Sequence, residues 1–323
     1  MTTAPYHPWL HRFAVLTAVV ALLPIVVGAL VTTKDAGMAF HDWPSSDGQN
    51  MFLYPWFSSA GDKFLEHGHR LAGALIGLFS IGLVVFVRRV ESRRFVRVTA
   101  WLILAAVILQ GLIGGFRVLA DQRLLALFHG SFAALVFSLI CAVGLFTSRG
   151  WLMGNDQQND RDVGVGILKP LAVVTTLIIF GQYLVGGLLR HLGTALFEHV
   201  GLAVVVSLFV LATAISALCQ QDVRLRPPAL MLLAILLLQL SLGAGAWVSR
   251  FGLASLGYVA VQHSPLQILL RTSHTVVGML LLMTAVLLTL RVLRFDALRH
   301  RRIADFEEPI RLVGTLPVKG GVR

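Results

Sequence analysis

Charge is what this sequence has least of. Asp, Glu, Lys and Arg together make up 13% of its 323 residues, against about 25% in soluble domains. A water-soluble globule of this length needs more charge to cover its surface, so that class is excluded. With 56% hydrophobic residues, disorder is excluded too. Cysteine is nearly missing: Cys141 and Cys219 are the two, both in apolar runs, which leaves no disulfide framework and no CxxC metal site. Acidic residues are scarce, 16 against 27 Lys and Arg, for a formal net charge of +11. On a soluble protein that excess points to nucleic acid. At a mean hydropathy of +0.79 it points to a membrane.

What is present is a set of eight apolar runs, near 11–33, 66–87, 97–118, 124–146, 168–189, 195–218, 229–249 and 269–292. An α-helix needs about 20 residues to cross the hydrocarbon core, and in lipid only helices or closed barrels satisfy their own backbone. Barrel strands alternate over about ten residues, so these continuous runs predict helices. The first run has no small-residue cleavage site and is interrupted by Pro24, so it reads as a retained helix. No transit-peptide pattern precedes it, which favours a bacterial protein.

Basic residues set the orientation. Nineteen of the 27 Lys and Arg fall on the side that receives the N-terminus, the 88–97, 147–169 and 219–228 connections and the tail. By the positive-inside rule that side is cytoplasmic, both termini included, and the protein sits in a bacterial inner membrane. The 34–65 and 251–268 segments then lie outside. The polar stretch 147–167 divides the chain into an N-terminal half, 11–146, and a C-terminal half, 168–293, followed by a solvated tail, 294–323. The expected fold is an all-α integral membrane protein of two tandem, pseudo-symmetric four-helix bundles. Three odd-numbered runs share a pattern: Gln110…Gly114-Gly115…Arg117, Gln182…Gly186-Gly187…Arg190 and Gln239…Gly243…Gly245 before Arg250. These glycines read as sites of close helix approach.

Of eleven histidines, four share a position. His69, His129, His199 and His274 each lie in the first two turns of an even-numbered run, at one depth near the outer face. A lone intramembrane histidine is as readily a polar side chain bonded to a neighbouring helix as a functional group. One in every even run is harder to explain that way. Two facing imidazoles can take both axial positions of a haem iron, whereas a zinc site wants ligands converging on one point. Two pairs in two halves suit two haems better. Arg70, Arg117, Arg190, Arg250 and Arg271 cluster near these histidines and are candidate partners for haem propionates. Interfacial snorkelling accounts for them equally well. Glu66 precedes His69 by one helical turn, either as a carboxylate favoured by the helix dipole or as a group working on a tetrapyrrole edge. Glu198 points about 100° away from His199 on the helix and reads as structural.

The run Glu66-His-Gly-His69-Arg70-Leu-Ala-Gly, together with Thr32-Thr-Lys-Asp-Ala-Gly37-Met38…Asp42-Trp43-Pro44 and Asn50-Met-Phe-Leu-Tyr-Pro55-Trp56, resembles the haem A synthase family. The likeness covers about residues 11–292. It implies oxidation of the C8 methyl of haem O to a formyl group by successive hydroxylations, a geminal diol then losing water. It also implies that His69 and His129 face the substrate iron, that His199 and His274 ligate a haem b cofactor, and that Glu66 is the catalytic carboxylate. A haem O synthase and the oxidase that takes up haem A are the implied partners. Some members carry a cysteine pair in the outer loop after the first helix, and some another between the fifth and sixth. This chain has neither, so a mechanism needing an outer-loop thiol cannot operate here.

Two other readings compete. A di-haem electron carrier of the cytochrome b kind explains the four histidines but not Glu66 or the long outer segment with Trp43, Pro44, Tyr54 and Trp56. A transporter predicts charged midplane residues, and Gln110, Gln182 and Gln239 are the only polar candidates for that.

Overall fold

The computed structural model describes residues 5–152, 166–220 and 222–314, with side chains to residue 298. Most of the expected 147–167 linker and the last nine residues of the tail lie outside the described residues. The spanning helices are α1 (Pro8–Thr33), α2 (Gly61–Val90), α3 (Arg94–Ala120), α4 (Arg123–Phe146), α5 (Leu168–Leu192), α6 (Leu196–Leu218), α7 (Arg226–Phe251) and α8 (Pro265–Gly314). All eight are long and apolar enough to cross a membrane, α8 over Pro265–Leu298. Among the described residues there is no strand, only isolated bridges at Ser46–Gln49 and Leu253–Tyr258. The protein is thus an all-α, multi-pass membrane protein, as the apolar runs require.

The helices outrun the apolar windows at both ends. α2 begins at Gly61, with Asp62 in its first turn and Arg88 and Arg89 in its last, charges that suit the two ends of the helix dipole. Pro8 opens α1 at the position where a missing N–H costs nothing. Gly193 ends α5 with φ +71°, the left-handed conformation that releases the chain into α6. α8 continues past 293, where a tail was expected, as far as Gly314.

The outward faces are apolar, as lipid demands: Leu78, Leu177, Leu208 and Leu237 are all largely exposed. Inside, two clusters form. One runs through α1–α4 around Leu83, Ile103 and Ile140. The other runs through α5–α8 around Leu168, Leu232 and Leu282. Ile25 of α1 borders both. α8 packs against α1, α4, α5 and α7 and is the most enclosed of the eight helices. Small polar residues join helices where apolar packing leaves room: Thr175 of α5 bonds Thr213 of α6 at 2.6 Å, and Thr176 of α5 bonds Thr289 of α8 at 2.9 Å.

Candidate active site

Each of the four even-helix histidines meets its predecessor helix at a glycine. A Cβ on Gly28 of α1 would sit 2.6 Å from the His69 ring, and one on Gly114 of α3 would sit 2.8 Å from His129. The corresponding distances are 2.9 Å for Gly186 of α5 and His199, and 3.0 Å for Gly243 of α7 and His274. No side chain larger than hydrogen fits there without moving an imidazole. One turn before each glycine stands the ring's polar neighbour. His69 Nδ1 donates to the Pro24 carbonyl at 3.0 Å. Gln110 Nε2 lies 3.1 Å from His129 Nδ1, Gln182 Nε2 lies 3.2 Å from His199 Nδ1, and Gln239 Nε2 lies 3.4 Å from His274 Nε2.

These supports bring the rings together in pairs. His69 and His129 face each other with centroids 6.1 Å apart and planes at 83°. His199 and His274 do so at 6.1 Å and 81°. Imidazole nitrogens bind first-row metals at roughly 2 Å, so either gap admits one metal atom between two rings. A group of three or more His, Cys, Asp or Glu side chains, which a closed zinc site wants, does not occur among the described residues. The donor set fits a metal that brings its own equatorial ligands and asks the protein for two axial nitrogens. Buried atoms without a partner mark the same places: Gln110 Oε1, Gln182 Oε1, Gln239 Oε1 and His274 Nδ1.

Glu66 is buried, with 2% of its surface exposed. Its Oε2 accepts from the Ala39 N–H at 2.7 Å and the Phe40 N–H at 3.2 Å, and its Oε1 pairs with Arg70 at 2.8 Å. A carboxylate offers about four lone-pair positions; three are taken and one is left. Glu66 therefore fastens the outer loop, residues 34–60, over the first pair. Other residues share the fastening. Arg70 donates to the Ser45 carbonyl at 2.6 Å and lies over the Phe40 ring, and Arg117 donates to the Gly37 carbonyl at 2.8 Å. The Trp43 ring lies directly on Gly115 of α3, where no Cβ fits. Within the loop, Asp42 accepts from Gly48 N–H at 2.8 Å and Asp47 N–H at 3.1 Å. Burial works to raise the Asp42 pKa, but bonds from Gly48, Ser45 and Asp47 outweigh it and hold the carboxyl below its ordinary value.

The arginines divide. Arg70 is committed to Glu66. Arg117 and Arg190 are held by neutral acceptors: for Arg190, Ala29 O at 2.6 Å, Thr33 Oγ1 at 3.0 Å and Thr275 Oγ1 at 2.6 Å. Arg250 bonds Gln262 at the exposed end of α7. Arg271 is half-buried on α8, near the like charges of Arg190 and Arg250.

Two features escaped sequence reasoning. His67, two residues before His69, is buried, bonds Ser46 Oγ at 3.1 Å and packs among Phe40, Tyr54 and Trp56. The other is the pairing of each glycine and glutamine with a histidine. Its signal was present in the Gln-x-x-x-Gly repeat of the odd runs. In α1 the glutamine is replaced by Pro24, which hides the fourth instance.

The structure is that of a multi-pass helical membrane protein with two pairs of facing imidazoles, one in each half. Residues 57–200 match the family COX15-CtaA, described as cytochrome oxidase assembly protein. The chain is 30% identical over 195 residues to a protein of Symbiobacterium thermophilum named Heme A synthase, covering 58% of this chain and 61% of that one. With the Heme A synthase of Lysinibacillus sphaericus it shares 32% over 198 residues, 59% of this chain and 61% of the relative. A shorter likeness, 34% over 122 residues, covers 36% of this chain and 26% of a Halobacterium salinarum protein named Protoheme IX farnesyltransferase. Over the matched part the chain is similar to proteins named Heme A synthase, in line with the resemblance carried by the Glu66-to-Gly73 run. The chain spans about three-fifths of the length of the first two relatives. His274, Gln239 and Gly243 lie beyond the 57–200 match; the repeat in the sequence and the geometry join them to the pattern.

Proposed function

We propose that this chain is a haem A synthase of a bacterial inner membrane, both termini cytoplasmic, converting the C8 methyl of haem O to a formyl group. The first half, 11–146, takes the substrate haem between His69 and His129. The second half, 168–293, holds a haem b between His199 and His274, which would supply a one-electron redox iron. A haem O synthase and a terminal oxidase are the natural neighbours of such an enzyme. The observation that carries the reading is the burial of Glu66 one turn from His69, beneath a loop fastened over the first pair. Oxidising a methyl conjugated to a porphyrin leaves positive character on that carbon. The remaining lone pair of Glu66 can stabilise that charge and accept the proton of an attacking water. The loop limits the entry of bulk water, which strengthens such a charge effect. Arg117, Arg190, Arg250 and Arg271 serve the propionates; Arg70 serves Glu66.

A second reading rests on that same carboxylate. If Glu66 only fastens the loop, the chain is a di-haem b electron carrier. The two separate on extraction of haems from cells expressing the chain with haem O available. Haem A is expected on the chromatogram, and Glu66→Gln is expected to abolish it while the haem of the second half stays bound. Haem A formed at the normal rate by Glu66→Gln would remove Glu66 from the chemistry.

A further inference from the structure

At the end of the bundle that holds most of the Lys and Arg, a cleft lies on the seam between the halves. Both halves supply its walls. Trp151, in the short helical turn Arg149–Leu152 that follows α4, meets Arg224, which precedes α7, and Arg291 and Arg294 of α8. Trp151 is 7% exposed and packs on Phe146, so its ring is fixed. The Arg294 guanidinium lies 4.4 Å from the centre of that ring, and Arg93 and Arg224 stand near enough to act on it as like charges. The acids at this place are already used. Arg93 holds Glu91 at 2.7 Å, and Arg224 holds both oxygens of Asp222, at 2.8 and 2.7 Å. Arg291 stands near that second pair. Among the described residues, neither Arg291 nor Arg294 has a hydrogen bond or an ion pair, and Trp151 Nε1 is buried without a partner. All three are donors with nothing to accept from them, and two of the three are cations.

We propose that this cleft binds the phosphate of an anionic phospholipid from the leaflet on that side. A phosphate supplies what the three groups lack: charge-assisted bonds for two guanidiniums and an acceptor for the indole N–H. Basic pockets between spanning helices take lipid headgroups in this way. The surroundings favour a lipid over free phosphate. Leu225, Phe295 and Leu298 line the same cleft, and Val223 and Leu293, next in sequence to Arg224 and Arg294, are exposed apolar residues along which an acyl chain fits. A headgroup without its own ammonium, such as phosphatidylglycerol, leaves the phosphate charge to the arginines, whereas phosphatidylcholine brings a competing cation. Once bound, the lipid bridges Trp151 of the first half to Arg291 and Arg294 of the second and so braces the seam. The site shares no residue with the histidine pairs and does not depend on what they hold.

The test is native mass spectrometry of the purified full-length protein in detergent, titrated separately with phosphatidylglycerol, phosphatidylcholine and inorganic phosphate. Phosphatidylglycerol is expected to bind about tenfold or more tightly than phosphatidylcholine. One basic residue beside an anionic membrane is worth about fivefold. Arg291→Gln with Arg294→Gln is therefore expected to weaken phosphatidylglycerol binding about twentyfold or more. Arg88→Gln with Arg89→Gln removes the same charge from exposed positions at the same end of the bundle, and is expected to cost less than about fivefold. Trp151→Phe keeps a ring, loses the N–H, and is expected to cost roughly two- to tenfold. Equal losses in the two arginine pairs, an unchanged affinity in Trp151→Phe, or no preference for phosphatidylglycerol over phosphatidylcholine overturns the inference. Inorganic phosphate that displaces the lipid at equal concentration does so too. Should the Arg291 and Arg294 double variant fail to fold, Arg291→Gln alone decides, since it leaves the Arg294–Trp151 contact in place: a loss of about fivefold supports the site and an unchanged affinity overturns it. A wild type that takes up phosphatidylglycerol only after Asp156, Asp160 and Asp162 are changed to Asn would give the arginines to the chain's own linker and overturn the lipid site.

Discussion

A single missing methyl group decides where each imidazole stands. The four ring-bearing glycines tolerate no Cβ, whereas Gly77 of α2 and Gly201 of α6 have nothing within 4 Å of theirs. Overfilling a packed site costs about 1–3 kcal/mol, and each 1.4 kcal/mol is tenfold in an equilibrium. Gly186→Ala is therefore expected to lower haem occupancy of the second half roughly ten- to a hundredfold, and Gly201→Ala to leave it unchanged, read as the haem-to-protein ratio by absorbance. The same contrast separates glycines that only ease helix packing, the sense the sequence suggested for all of them, from those that set the ligands. The Gln-x-x-x-Gly spacing marks three of the four, but it does not say that an imidazole stands there, because that depends on what the facing helix brings to that depth.

Among the elements, the outer loop depends most on polar contacts. It is pinned by Glu66, Arg70 and Arg117 from below and by Asp42 from within. Asp42 has a depressed pKa in the folded loop, so its bonds stabilise the loop fully above the unfolded carboxylate range, near pH 4, and that support is lost as pH falls through the lower folded value. Protection of the Asp47 and Gly48 amides, their hydrogen exchange relative to the intrinsic rate at each pH, should be higher at neutral pH and fall in acid. Asp42→Asn should remove most of that pH dependence, and protection that persists undiminished in acid would count against the role. The loop was only partly legible in the sequence. Its Ala-Gly-Met and Asp-Trp-Pro runs marked it as special, but Ala39 and Phe40 contribute through backbone N–H groups, which residue identity does not advertise. The spanning helices were legible because lipid permits no other way to satisfy a backbone. Their ends were not, since residues such as Gly61–Leu65 and Arg88–Val90 are helical yet too polar to join an apolar window. His67 was passed over because it breaks the one-per-helix pattern that singled out its neighbours.

Across the whole molecule, the halves are joined by α8 against α1 and α4, by the packing of α4 on α5, and by Arg190. From α5 that guanidinium reaches Ala29 and Thr33 of α1 and Thr275 of α8. Ala29 follows Gly28, the platform of His69, and Arg190 lies one turn past Gly186, the platform of His199, so one side chain ties the supports of the two pairs. Hydrogen bonds from a charged group contribute about 1.5–3 kcal/mol each. Arg190→Met is expected to lower the thermal midpoint in detergent clearly. Arg190→Lys should not restore it, because one guanidinium nitrogen serves Ala29 and Thr33 on α1 while the other serves Thr275 on α8, a spread that a planar fork matches and a single ammonium does not. The central place of α8 has a consequence for biogenesis. This helix is the last of the eight to leave the ribosome, yet it fills the space between α1, α4, α5 and α7 and carries His274. Until it enters the bilayer the earlier helices have an open seam and the second pair is one imidazole short, so a ribosome stalled before residue 265 would hold a chain able to complete the first pair alone.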